Sequence, residues 1–133
     1  MATTASQSIE LQRITMKANG AVTANRLVKI DTTEGQVLHT TAITEVAFGV
    51  AQDTVADTAA VEVEVGSGAI VRMVASGAIT AGDALMPAAA GGGKVSTLSG
   101  ATAVTCGQAI QGAADGATFT AIFRPGVRTP VAT

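Results

Sequence analysis

"ASGAITAGDALMP", Ala75–Pro87, restates "ANGAVTANRLVKI", Ala18–Ile30. Ala, Gly, Ala, Thr and Ala recur in register at an offset of 57, and Val22 is matched by Ile79. With one residue added, Phe48-Gly49-Val50-Ala51 lies over Cys106-Gly107-Gln108-Ala109, Ala56-Asp57 over Ala114-Asp115, and Val61 over Phe119. An Ala/Gly-rich composition inflates any single match, so the ordered series carries the inference. The chain reads as two copies of a unit of roughly 55 residues, at about 18–70 and 75–124. Two copies are too few for a solenoid, which needs at least about three. A single pseudo-symmetric domain over 17–124 is expected, with 1–16 before it and 125–133 after it.

Each unit reads as β. "LVKI" and "DALM" follow the repeated phrase; "QVLHT" and "KVSTL" come next, then "VAFGVAQ" and "VTCGQAIQ", then "AAVEVEV" and "ATFTAIFR". Val61, Val63 and Val65 alternate with Glu62 and Glu64, which predicts a strand with one buried and one wet face. "GAIVRMVA", Gly68–Ala75, is a further strand leading into the second copy. Gly20 and Gly77 permit positive φ. Gly82-Asp83 signals a turn before a strand, and Asn25-Arg26 replaces it in the first copy, where Asn also tolerates the left-handed region. "TTAITEVA", 40–47, makes at most one short turn. Strands every 8–12 residues with Gly, Asp and Asn between them predict an all-β, small barrel or sandwich-like domain. In "SIELQRITM" the apolar phase shifts between Ile9/Leu11 and Ile14/Met16, and a bulge near Gln12-Arg13 accounts for the shift.

Composition bounds the function. The 133 residues carry a net charge of −2, which predicts neither nucleic-acid nor membrane binding. No apolar run approaches the roughly 20 residues needed to span a bilayer, and "MATTASQSIELQR" lacks the pattern of a secretory signal. Seven acids and no Lys or Arg lie between Asp31 and Glu64 once Asp31 begins the count, while Arg13, Lys17, Arg26, Lys29, Arg124 and Arg128 flank that stretch. A soluble acidic face is the simplest reading. Aromatics are limited to Phe48, Phe119 and Phe123. A core without large anchors gains from subunit contact, so a homo-oligomer is expected. The single cysteine, Cys106, excludes an intramolecular disulfide and reads as a small buried hydrophobe.

Catalytic apparatus is hard to assemble from these residues. His39 is the one histidine, and a solvated strand residue is its simplest reading. One His and one Cys do not make the usual zinc set. Asp53, Asp57, Glu62 and Glu64 lack the spacing of a calcium loop. "GGGKVST", Gly91–Thr97, fails the phosphate-loop pattern, because Ala88 holds the first glycine position and Val95 follows Lys94. It reads as a flexible hairpin tip. Lys94 sits in Gly-Lys-Val, unlike the Met-Lys-Met or Asp-Lys-Ala of lipoyl and biotinyl carriers. No cofactor, metal or enzyme activity is expected.

The ordered series, Ala75–Leu85, then Gly93-Lys94-Val95, Gly107–Ala109 and Ala114–Ala121, resembles the capsid decoration, or cement, proteins of tailed bacteriophages. The first copy carries weaker versions at 18–28, 49–51 and 56–63. The resemblance implies an all-β fold that assembles, often as a trimer, on the outer surface of a phage head made in the bacterial cytoplasm. There it clamps neighbouring major capsid proteins. Asn25-Arg26 departs from the family's Gly-Asp, and no contact residue carries over. Residues 1–16 are either a free arm or the first strand of the chain's own domain. As an arm, Ile9, Leu11, Arg13 and Ile14 are the candidate capsid contacts, since an alternating segment can add to another sheet's edge. The tail "RPGVRTPVAT" has two prolines and no period. The alternative function, a small β-barrel binding module for a sugar or other small ligand, is poorly served by three phenylalanines.

Overall fold

The computed structural model describes residues 9–89, 91–100 and 102–126, and these are all-β, with no helix among them. Ten strands follow in chain order: β1 (Arg13–Ala18), β2 (Leu27–Ile30), β3 (Gln36–His39), β4 (Gly49–Ala51), β5 (Ala60–Glu64), β6 (Ile70–Val74), β7 (Ala84–Pro87), β8 (Val95–Thr97), β9 (Gly107–Ala109) and β10 (Thr118–Phe123). They are short and Val-rich, as β-branched residues between glycine and Asx turns dictate. The first five close into a barrel in the order β1-β3-β2-β4-β5, and the last five form a sheet in the order β6-β10-β9-β7-β8.

The two sets of pairings correspond one to one. β1 pairs antiparallel with β5 as β6 does with β10, and β2 pairs with β3 and β4 as β7 does with β8 and β9. A parallel contact of β1 with β3, Ala18 opposite Val37, closes the barrel, and a parallel bridge of Ala75 with Val95 occupies the same place in the second half. The repeated phrase is the turn system of each half. The Gly20 N–H donates to Asp57 Oδ1 at 2.7 Å, and the Gly77 N–H donates to Asp115 Oδ1 at 2.8 Å. Val22 bridges Val55 where Ile79 bridges Ala113. Asn25 (φ 67°) and Thr58 (φ 70°) hold the left-handed conformations that Gly82 (93°) and Gly116 (81°) hold in the second copy.

The halves differ in which faces they bury. One core cluster fills the barrel with Ala18, Val22, Val28, Val37, Ala51, Val61 and Val63. The other gathers the second half around Phe119 and Phe123, and takes in Leu27, Ala47 and Val50 from the first. At the positions matching Leu27 and Val50 the second half has Ala84 and Gln108, both exposed. The larger apolar residues therefore stand where one half lies against the other.

Two expectations are corrected. The apolar phase shift near Gln12-Arg13 is not a bulge. Ile9 bridges Ile70 in the second sheet, and β1 begins at Arg13 in the barrel, so the chain crosses between sheets over residues 10–12. Glu64 is not on a wet face. It is fully buried beneath that crossing, and its carboxylate accepts the N–H groups of Leu11 (3.1 Å), Gln12 (2.9 Å) and Gly66 (2.9 Å). Three amides replace the water that burial removed. Gly66 is required there, because a Cβ would come within 2.5 Å of the Leu11 Cβ.

Candidate functional site

The four candidate contact residues divide between two settings. Ile9 and Leu11 lie on the crossing strap and are 56% and 58% exposed. Arg13 and Ile14 open β1, opposite Glu64 and Val63 of β5. Arg13 is ion-paired with Glu10 at the surface, and Ile14 is half-buried. Residues 13–16 thus belong to the wall of the chain's own barrel. Residues 1–8 lie outside the described residues. What the strap presents outward is an apolar pair on a backbone held by the Glu64 carboxylate.

The Gly91–Gly93 tip is docked, which corrects the flexible-tip reading. All three glycines have φ between 71° and 77°. The Leu27 N–H donates to Gly93 O at 2.8 Å, the Gly93 N–H donates to Thr40 O at 3.1 Å, and Arg26 Nη1 donates to Gly92 O at 2.8 Å. A Cβ on Gly93 would meet Leu27 O at 2.6 Å. The tip therefore joins the halves through backbone contact that only glycine allows.

This docking explains where the first copy leaves the repeat. In the second copy the Thr80 N–H donates to Asp83 Oδ2 at 2.9 Å. Arg26 stands at the matching position and reaches across to Gly92 instead. His39 takes over the cap, its Nε2 accepting the Thr23 N–H at 3.0 Å. His39 is thus a turn cap and not simply a solvated strand residue. Burial, and then the Arg26 charge, hold its pKa below the usual histidine value. Burial pushes the Cys106 thiol up, and Cys106 sits in the core as a small hydrophobe.

A groove of about 770 Å³ opens on the first half. It is lined by Lys29, Ile30, Val46, Phe48 and Val65, and by Pro125 and Gly126 at the end of the described chain. Ile30 is 59% and Val46 56% exposed. Lys29 and Glu45 pair at its rim. Burial raises the Glu45 carboxyl, but the Lys29 ammonium and the amides of Thr41 and Ala42 outweigh it and leave the pKa below the usual carboxylate range. The sequence held no local sign of this groove. Among the described residues, no group of three His, Cys, Asp or Glu is placed to hold a metal ion.

A family model described as phage cement protein matches residues 6–125. Among solved structures, the N base of the head fiber gp8.5 of bacteriophage phi29 superposes with a TM-score of 0.70 at 21% identity, covering 84% of this chain and 92% of that one. No curated protein matches. At that identity the phi29 structure establishes likeness of fold.

Proposed function

The chain belongs to the phage cement protein family, and from that premise we propose that it is a structural protein of the virion. It binds the outer surface of the head and stabilises contacts between major capsid proteins. The match over residues 6–125 carries this reading. The exposed pair Ile9 and Leu11, with Arg13 and Ile14 behind it, is the attachment edge. A strap held by two hydrogen bonds to Glu64 offers a rigid backbone, which lowers the ordering cost of binding. The working unit is a homo-oligomer, and by family resemblance a trimer. The chain acts without catalysis, bound to the head and to copies of itself.

The test is add-back to purified heads that lack the protein. Occupancy is read by electron microscopy and head integrity by heating. Wild-type protein is expected to saturate its sites and delay rupture. Ile9→Asp with Leu11→Asp should fold normally and lose most occupancy. Full occupancy by that double variant removes the strap from the attachment edge, and failure of the wild type to bind any head overturns the cement reading. Sedimentation at micromolar concentration tests the oligomer, for which a single monomer peak is the contrary result.

A further inference from the structure

The two copies cap the same turn with different chemistry. In the second copy Asp83 Oδ2 accepts the Thr80 N–H, and Thr97 Oγ1 donates to the same oxygen at 3.0 Å. In the first copy Arg26 stands where Asp83 does. His39 stands where Thr97 does, since it faces Val28 across the ladder as Thr97 faces Leu85. The acceptor for the Thr23 N–H has therefore moved from a carboxylate to the Nε2 of a neutral imidazole. A carboxylate keeps its charge down to about pH 4, whereas an ordinary imidazole loses its acceptor nitrogen near about pH 6.5. Protonated, Nε2 becomes a donor aimed at another donor. No anion among the described residues is placed to answer the new charge. Val28 stands opposite on β2, β1 ends at Ala18 beside Val37, and the Gly91–Gly93 tip carries no titratable side chain. The loop that holds the turn from its far side, through Thr54, carries Asp53, which is engaged with the Glu62 N–H. Arg26 is the charge that acts on the imidazole, and together with burial it keeps the ring neutral at neutral pH.

The same two residues flank the joint between the halves. Leu27, next to Arg26, donates its N–H to Gly93 O, and Thr40, next to His39, accepts the Gly93 N–H. Arg26 itself donates to Gly92 O. Each of these hydrogen bonds to the tip is thus made by Arg26 or by a direct neighbour of the pair. Two cations forced together at Arg26 and His39 separate by moving the segments that carry these contacts. The joint is also less well satisfied than a strand ladder. Thr40 Oγ1 and Arg26 Nε are buried there with no hydrogen-bond partner among the described residues, so admitting water costs less than at a fully paired site.

We propose that His39 and Arg26 form an acid-released latch: protonation of His39 uncaps the Thr23 turn and frees the Gly91–Gly93 tip from the first half. Acid opens this joint and leaves the Asp83-capped turn of the second copy closed. This goes beyond the cement reading and does not depend on it. The test is amide exchange followed by nuclear magnetic resonance in the full chain, expressed as protection relative to the unfolded chain, as pH is lowered through the histidine range. His39 is the one histidine, so its ring titration is read without ambiguity. Protection at Thr23, Leu27 and Gly93 is expected to fall together by at least about tenfold, with the midpoint of the ring titration, while Thr80 holds. His39→Gln, whose side-chain oxygen accepts at every pH, should abolish the fall. A fall shared equally by Thr80 overturns the proposal and marks general loosening. A fall at Thr23 with Gly93 unchanged overturns the latch and leaves a local cap. A fall that persists in His39→Gln assigns the effect to another group and overturns it. Should that variant fail to fold, the wild type decides, because a midpoint at Gly93 that differs from that of the ring, or no fall at all, overturns the proposal equally.

Discussion

Single residues carry the long-range joints of this molecule, and Glu64 is the clearest. It lies 52 positions from Gln12, yet its carboxylate satisfies the strap's amides. Glu64→Ala leaves three N–H groups beneath the strap without an acceptor. The expected loss is about 1–3 kcal/mol, read as a lower denaturant midpoint, with Glu64→Gln falling between because one acceptor oxygen remains. His39 gives a second test. Its folded pKa lies below its unfolded value near 6.5, so the unfolded state takes up the proton first. The stability it contributes is complete above that unfolded value and is lost as pH falls through the folded value. The melting temperature of the wild type should therefore drop on acidification below neutrality more steeply than that of His39→Gln. Glu45 and Asp31, both held below the usual carboxylate range, release their contributions only at lower pH. Thr58 is exposed and held at φ 70° where the second copy has glycine. Thr58→Gly should raise stability by about 0.5–1 kcal/mol, since a left-handed β-branched residue costs more than the added freedom of the unfolded glycine. Thermal melting of the variant decides it.

At the scale of elements, the strands and turns were legible because each depends on neighbours close in sequence. Alternation marked β5, Gly-Asp marked the turn before β7, and the ordered offset of 57 then 58 anticipated the matched pairings of the two halves. The strap and the tip were not legible, for one physical reason. Their partners lie 50 or more residues away: Glu64 from Leu11, and Gly92 from Arg26. Period-two alternation assigns Glu64 to water only if nothing crosses that face, and a local pattern carries no record of the crossing. The groove was hidden in the same way, since Ile30, Val46 and Val65 come from three separate segments. Of the four contact residues proposed from sequence, Arg13 and Ile14 lie in the barrel wall and Ile9 and Leu11 are exposed beside it. Truncation separates these roles. Removing residues 1–8 leaves the Ile9 bridge and the Glu64 hydrogen bonds in place, and stability, read from the denaturant midpoint, should stay within about 0.5 kcal/mol of wild type. Removing residues 1–12 takes away two of the three Glu64 donors and should lower it clearly, so loss of head binding by that longer truncation alone does not identify an attachment edge.

For the whole molecule the decisive feature is that two copies of one fold are joined unequally. Duplication alone would give each half the same faces. Here the first half has Leu27 and Val50 where the second has Ala84 and Gln108, and Arg26 where the second has Asp83. Each change favours the contact between halves: two larger apolar side chains enter the shared cluster, and the guanidinium reaches the glycine tip. Because that cluster contains residues of both halves, the core of the second half is completed by the first. The chain should therefore unfold in a single transition, with the same midpoint by far-ultraviolet dichroism and by calorimetry. The repeat supplies its own control for this inference. Leu27→Ala writes the second copy's residue into the first, and in a buried joint it should cost about 2–5 kcal/mol. Ala84→Leu makes the reciprocal change at an exposed position and should alter stability by no more than about 0.5 kcal/mol. If the two substitutions cost the same, or if Leu27→Ala splits unfolding into two transitions while leaving the second half at its original midpoint, then the halves are stabilised separately and the joint contributes little to the fold.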